Sequence, residues 1–393
     1  MKRLSSGCAA GLAVAALLAG STALAQTPEL PQSRFPQALP ALPAAGTYPM
    51  LTGEIEIELQ HDRITRAPSG AKRYNDTTTD TEANLGLFLS PELSVQSTLH
   101  LEPVKDPSGN GVFKSEGLYL EQLFVDYDAG PFTVFAGKFN PRFGTAWDLV
   151  PGVYGTDFAE DYEFTEGIGA GASAKLETLS YGTHELGVAL FFFDNTFLSN
   201  SAFTRPRFGD PFTARPGRLR HQDGGPGNTR GPESFTVTLD GDSIAALPNF
   251  AYHLGYARFA KGETETRDQT AFVAGARSKI DLGEGLSLTP LGEYARFWDA
   301  GGQPGTISYT TLAAELAWRQ WSASGVVTWR DNDLPLDEEG GGGGFTDRLI
   351  TFSVGYQLDF GLGIAVGWKR ERIEREETDS FGVLLTYAWS FTL

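Results

Sequence analysis

Few side chains in this sequence could carry chemistry, and their spacing does not favour it. Five histidines stand at 61, 100, 184, 221 and 253, with no i, i+4 pair among them. The single cysteine is Cys8, near the start of the chain. G-x-S-x-G, H-E-x-x-H, Walker and Rossmann patterns are absent, so no nucleophile elbow, zinc helix or phosphate cradle is written here. Asp331-Asn332-Asp333 and Asp337-Glu338-Glu339 offer oxygen ligands, but without the glycine and glutamate spacing of an EF-hand. Beside Gly340 to Gly344 they read as a charged flexible loop. The sequence points to no catalytic residue, resident metal or cofactor.

What it does carry is charge in rows. Glu54, Glu56 and Glu58 alternate with Ile55, Ile57 and Leu59. The same inward phase, followed along the chain, collects Glu102, Lys175, Arg277, Lys279, Glu315, Arg319, Arg330 and Lys369 on one polar face. Acids gather early and bases late. His100 and His253 fall on that face too, as solvated lining. Net charge is −18. Such acidity argues against nucleic acid as a partner, because phosphate binding needs clustered Lys and Arg. It suits a preference for cations, or simply solubility of the loops.

The elements that must position these residues begin after a leader. Lys2 and Arg3, the apolar stretch from Cys8 to Gly20 and Ala23-Leu24-Ala25 form a secretory signal peptide over 1–25. Its removal takes the only cysteine with it and leaves 29 bases against 49 acids. Residues 26–51 hold prolines at 28, 31, 36, 40, 43 and 49 without periodicity, as an extended periplasmic linker does. After Ala25 no apolar run approaches the ~18 residues of a membrane helix.

From Thr52 onward, segments of about ten alternating residues are separated by turns. Leu93, Val95, Ser97, Leu99 and Leu101 oppose Ser94, Gln96, Thr98, His100 and Glu102; Ile350 to Asp359 and Val383 to Phe391 repeat the pattern. Soluble strands usually stop near five or six residues, whereas a tilted strand crossing a ~25 Å apolar band needs about ten. The template predicts sixteen strands, at 52–60, 82–90, 92–102, 117–128, 131–139, 165–177, 181–193 and 233–241 in the first half. The second half has 249–261, 270–282, 284–298, 306–319, 320–331, 347–359, 362–373 and 379–392. Long loops (61–81, 103–116, 140–164, 194–232, 332–346) alternate with short turns such as Ala129-Gly130, Gly283-Glu284 and Gly361. That alternation belongs to an all-β, antiparallel up-and-down transmembrane barrel over 52–393, with short periplasmic turns and long outer loops. Trp298, Trp318, Trp321, Trp329, Trp368 and Trp389 fall near predicted strand ends with Tyr127 and Phe132, where aromatic girdles meet the headgroups. Lumen-phase glycines (167, 169, 171, 187, 255, 363, 367) suggest open space inside or eased strand curvature.

This layout, the aromatic final strand Gly382 to Phe391 and the segment Gly137-Lys138-Phe139-Asn140-Pro141-Arg142-Phe143-Gly144 resemble the sixteen-stranded porins of Gram-negative outer membranes. The finish Phe391-Thr392-Leu393 departs from the family's usual terminal aromatic, which the barrel-assembly machinery reads. The resemblance implies residence in the outer membrane against lipid and lipopolysaccharide, a homotrimer, and passive diffusion of small hydrophilic solutes and ions. It also implies that the loop after the fifth strand folds inward and narrows the channel. By position that loop is 140–164, carrying Arg142, Trp147, Asp148, Asp157, Glu160, Asp161 and Glu163; the alternative is an ordinary acidic surface loop. The loop 194–232, with Arg205, Arg207, Arg215, Arg218, Arg220 and Arg230, reads as an outer loop touching lipopolysaccharide or a neighbouring subunit. It could instead turn inward and recruit anions. A substrate-selective porin for anions such as phosphate, or for saccharides along Phe191 and Phe193, is the second functional reading. A barrel enzyme or a filled structural barrel remain the readings from other classes.

Overall fold

The computed structural model describes residues 47–68, 70–105, 109–205, 219–335 and 343–393. The expected leader, the linker as far as residue 46, and Arg207, Arg215, Arg218 and Asp337-Glu338-Glu339 lie outside those residues. The first half of the chain forms β1 (Met50–Arg66), β2 (Asn75–Phe88), β3 (Leu93–Pro103), β4 (Glu116–Asp128), β5 (Phe132–Phe139), β6 (Gly167–Thr178), β7 (Gly182–Phe193) and the short β8 (Ser201–Arg205). Then come β9 (Ser234–Asp242), β10 (Phe250–Phe259), β11 (Gln269–Ser278), β12 (Ile280–Gly283) and β13 (Leu286–Trp298). β14 (Thr306–Trp318), β15 (Trp321–Leu334), β16 (Gly343–Gln357), β17 (Leu362–Ile373) and β18 (Glu376–Thr392) complete the wall. Among the described residues, helix is limited to the single turn α1 (Ala146–Leu149) and a few 3-10 turns.

Every pairing is antiparallel, and β1 closes on β18 from Thr52↔Thr392 to Ile64↔Ser380. Leu51 and Leu393 exchange both backbone hydrogen bonds, at 3.0 and 2.8 Å, and seal the lower seam. β12 prolongs β11 along β13, and β8 lies on the upper edge of β4, so sixteen strands span the wall. Closure satisfies each strand's backbone groups within the ladder, which hydrocarbon demands because it offers no partner of its own.

The two faces of the wall invert the arrangement of a soluble protein. On β7, Leu186, Val188 and Leu190 point outward and are 50%, 40% and 52% exposed, while Gly187 and Ala189 between them, and Phe191 after them, are buried. Polar Gln96, Thr98, Asp126 and Thr351 are buried on the inside. Tyr127, Phe132, Trp318, Trp321 and Trp389 ring the short-turn end of the outer face, all well exposed. Trp298 and Trp329 stand on the outer face toward the opposite end. Trp368 is the exception among the expected girdle residues: it lies midway along β17, stacked on Phe352 at 6.0 Å.

Three expectations are corrected in detail. The first outer loop shrinks to 67–74, because β1 and β2 continue as a ribbon beyond the membrane. Residues there are polar on both faces, since water lies on both sides, so the alternation that marks a strand disappears. Asp331-Asn332-Asp333 belong to β15 for the same reason. Arg319 occupies the tight turn between β14 and β15 at φ 53°, with its guanidinium 5.1 Å from the Trp318 ring. It therefore sits at the short-turn rim and does not line the barrel interior.

If lipid covers the Val188 face, Val188→Arg should destabilise the folded barrel by about 2–4 kcal/mol. Urea titration in lipid vesicles measures this; a change near zero would place that face in water.

Candidate functional site

At Phe139 the chain leaves the wall. Just before this point Gly137, at φ 143°, lies so close to β4 that a Cβ would meet the Leu123 carbonyl at 2.4 Å. The departure leaves the upper edge of β4 uncovered, and β8 pairs onto it from Glu116↔Arg205 to Tyr119↔Ser201. Lys138, buried in the wall, holds both sides of the gap through Glu166 and Asp194, each at 2.9 Å, and through the Leu198 carbonyl.

From Asn140 to Glu166 the loop runs inside the barrel and is fastened strand by strand. Arg142 pairs with Asp240 of β9 at 2.7 Å. His253 of β10 holds the same Asp240 through Nδ1 and accepts the Gly144 N–H at Nε2. Glu293 of β13 is the main anchor. Its buried carboxylate accepts from Thr145 N and Oγ1 at 2.8 Å each, from Ala146 N at 3.0 Å and from Tyr162 Oη at 2.8 Å. Beyond α1, Val153 N donates to Ser353 Oγ of β16, and Tyr154 Oη donates to Asp62 of β1. On the return, Lys369 pairs with Asp157 at 2.6 Å, and Arg330 reaches Asp161 at 2.6 Å and Asp347 at 2.8 Å.

Apolar packing fills the space behind the loop. Phe143 and Phe164 stack at 4.8 Å, Phe164 meets Phe259 at 4.6 Å, and Tyr162 meets Tyr309 at 4.9 Å. Phe191 is fully buried here, and Phe193 is partly covered and packs against the same cluster. Glycines of the inner face serve the same packing. A Cβ at Gly367 would come within 2.7 Å of Val153, and one at Gly255 within 3.4 Å of Phe143. They make room for the loop and leave no extra water there.

The loop's expected residues thus divide. Arg142, Asp157 and Asp161 are tied to the wall, and Trp147 packs against the core with Nε1 bonded to the Phe143 carbonyl. Asp148, Glu160 and Glu163 turn to the other side, where Asp148 and Glu160 are exposed. Facing them on β1 to β3 are Glu54, Glu56, Glu58, Asp80, Glu82 and Glu102; Glu56 feels Asp148, and Glu58 feels Glu160. On the loop itself, burial and the charges of Glu121 and Glu160 push the Glu163 carboxyl up to about 8. Bases are scarce on this side. Arg330 and Lys369 are neutralised by loop acids, and Lys175 pairs with Glu177 at 2.9 Å. Arg277 lies near Asp148 and Asp242, and Lys279 near Glu315. The open water is therefore bordered by carboxylates on two sides.

Glu293, Asp240, Asp62 and Asp347 hold the loop without having been singled out in sequence, and Lys138 stood out there only as part of the segment 137–144. Inward phase marks most of them, but phase alone does not separate an anchor from wetted lining. His253, expected as solvated lining, is a buried anchor. Of the arginine-rich loop, Arg220 and Arg230 are exposed and Arg230 approaches Glu263 at 3.5 Å, on the outside.

Solved structures agree on the fold. The chain is similar to OprB of Pseudomonas putida, with TM-score 0.58, 9% identity, and coverage of 86% of this chain and 94% of that one. It is similar to Salmonella typhi OmpF, at TM-score 0.55, 10% identity, and 86% and 97% coverage. The outer membrane channel DcaP of Acinetobacter baumannii gives TM-score 0.50, 8% identity, and 86% and 96% coverage. No family model and no curated protein matches the chain.

Glu293→Ala would leave four donors without their acceptor, at about 1–3 kcal/mol for each that stays buried and unsatisfied. The loop should detach from β13. Limited proteolysis between Arg142 and Glu163 and noisier single-channel records are the expected signs; an unaltered loop would deny Glu293 this role.

Proposed function

We propose that this protein is a porin of the bacterial outer membrane, through which small hydrophilic solutes and ions diffuse passively, with cations preferred. The observation that carries the reading is the pair of carboxylate rows, Asp148, Glu160 and Glu163 against Glu54, Glu56, Glu58 and Asp80, several of them exposed inside a closed barrel. Exposed carboxylates at that depth require water, and a low-dielectric wall around little water concentrates their field on whatever passes. Loop 140–166 forms the constriction in this reading. Chemistry plays no part: the loop's polar groups are engaged in holding it, and the others face a like-charged row. The exposed outer face suits lipid, lipopolysaccharide and association into a homotrimer, with delivery by the barrel-assembly machinery.

The anion-selective alternative rests on the arginine-rich loop 194–232, of which 206–218 lie outside the described residues, and the bases facing the inward loop do not add to it. Arg142, Arg330 and Lys369, which could have attracted phosphate or sugar acids, are each paired with a carboxylate.

Planar-bilayer recording tests the proposal. Steady ohmic steps and a reversal potential on the cation side are expected under a potassium chloride gradient. The single variant Glu160→Gln should lower the cation-to-anion permeability ratio at least about fivefold, the weight of about 1 kcal/mol that one charge exerts at 4 Å through water, and adding Glu56→Gln should lower it further. Absence of conductance, or a ratio indifferent to both changes, would refute it.

Acidity supplies a separate check. A carboxyl raised to about 8 is neutral below that pH and ionised above it. Cation preference should therefore strengthen from pH 6 to pH 9, and Glu163→Gln should flatten that rise; a profile the variant leaves unchanged would remove Glu163 from the constriction.

A further inference from the structure

On the channel side of β2, β3 and β4, opposite the loop, an imidazole stands among carboxylates. One ligand atom each from Asp80, His100 and Glu102 lies within 4.8 Å of the others. Asp80 is exposed to the channel water, and His100 and Glu102 are partly covered. His100 Nε2 is 2.6 Å from Asp80 Oδ1, and its Nδ1 is 2.8 Å from Glu121 Oε2. Glu121 is 5% exposed and is itself held by Asn140 Nδ2. Glu102 accepts from Tyr119 Oη at 2.5 Å.

A separate feature beside this group lacks a partner. Glu116 is 4% exposed, and its Oε1 accepts the Thr79 N–H at 3.2 Å. Its Oε2 is buried without any hydrogen bond, and the charges that act on it most strongly are Asp80 and then Glu102. A buried carboxylate oxygen with no donor is costly, and here its charged neighbours are of the same sign. Four carboxylates thus surround one imidazole.

We propose that Asp80, His100 and Glu102 form a binding site for a divalent transition metal of the zinc class on the channel wall, with Glu116 as the adjoining negative charge. The donor set is one imidazole nitrogen and two carboxylate oxygens, with the water-facing side open for further ligands. Mixed nitrogen and oxygen ligation of this kind suits zinc, whereas calcium and magnesium take oxygen alone. The surroundings fit a metal-binding histidine: the ring nitrogen turned away from the site is held by a buried carboxylate, Glu121, which fixes the ring's orientation. An ion at this place replaces the proton shared by Nε2 and Oδ1, and those atoms part to about 3.3 Å, as ligand pairs do around tetrahedral zinc with bonds near 2.0–2.1 Å. Bound there, the ion removes negative charge from the row that faces the loop. The channel reading lends that consequence its interest, but the site stands on its own geometry.

The experiment uses the full mature chain, folded in detergent and stripped with chelator. Titration calorimetry with zinc chloride should show one site per chain, and the X-ray absorption spectrum of the zinc-loaded protein should contain scattering from one imidazole. His100→Gln should abolish the site, and Glu121→Gln should weaken it about 10–100-fold by releasing the ring. Calcium chloride should not compete. No bound zinc in the wild type, an absorption spectrum without imidazole, equal binding by His100→Gln, or equal displacement by calcium would each overturn the proposal. Heat-modified gel mobility shows whether a variant has formed the barrel, and if His100→Gln has not, the wild-type absorption spectrum decides. Potassium conductance of the metal-free protein is read separately, so a missing metal site and a missing channel give different results.

Discussion

In hydrocarbon an unpaired peptide N–H or C=O costs several kcal/mol, and lipid offers it no partner. A chain whose strands carry an apolar face outward can tolerate no free sheet edge at that depth. The ladder between β1 and β18 is therefore the element on which the others depend. It joins segments more than 300 residues apart, and without it both strands would present a full row of open backbone groups to the membrane. The closed wall then creates an interior that water can enter, and polar side chains gather there as they would on the surface of a soluble protein.

That interior is unevenly divided. Loop 140–166 is pinned to β9, β10, β13 and β15 to β17 through buried or paired groups, with an aromatic cluster behind it. The pinned side uses Arg142, Arg330 and Lys369. The opposite side keeps its acids, among them Glu54, Glu56, Glu58 and Asp80, with few bases beside them. Glu293 exemplifies the cost of such an arrangement: a buried carboxylate is unfavourable alone and becomes tolerable only because four donors of the loop converge on it. Loop and wall are each poorly satisfied without the other, and this is why the loop lies inside.

The fold was largely legible in the chain. Ile55, Ile57 and Leu59 alternating with Glu54, Glu56 and Glu58 is a local signal, and it is strong wherever one face meets lipid and the other meets water. It failed where that difference in solvent ends. His61 to Arg66 and Asn75 to Thr81 extend β1 and β2 past the apolar band with polar residues at every position but Ile64. Arg319 was misplaced for a related reason: the alternation was carried one residue into a turn whose left-handed backbone breaks the phase.

Local alternation by itself pointed to a barrel and to the inward phase of most strand residues, because both follow from which solvent a side chain meets, but it misjudged where some strands end. Only the tertiary structure decided which inward residues touch water. Glu56 and Glu293 have the same phase and chemistry, yet one lines open channel and the other is sealed beneath Thr145 and Tyr162. The difference arises from contacts more than a hundred residues apart across the lumen, and a periodicity read along one strand contains no information about what lies opposite it.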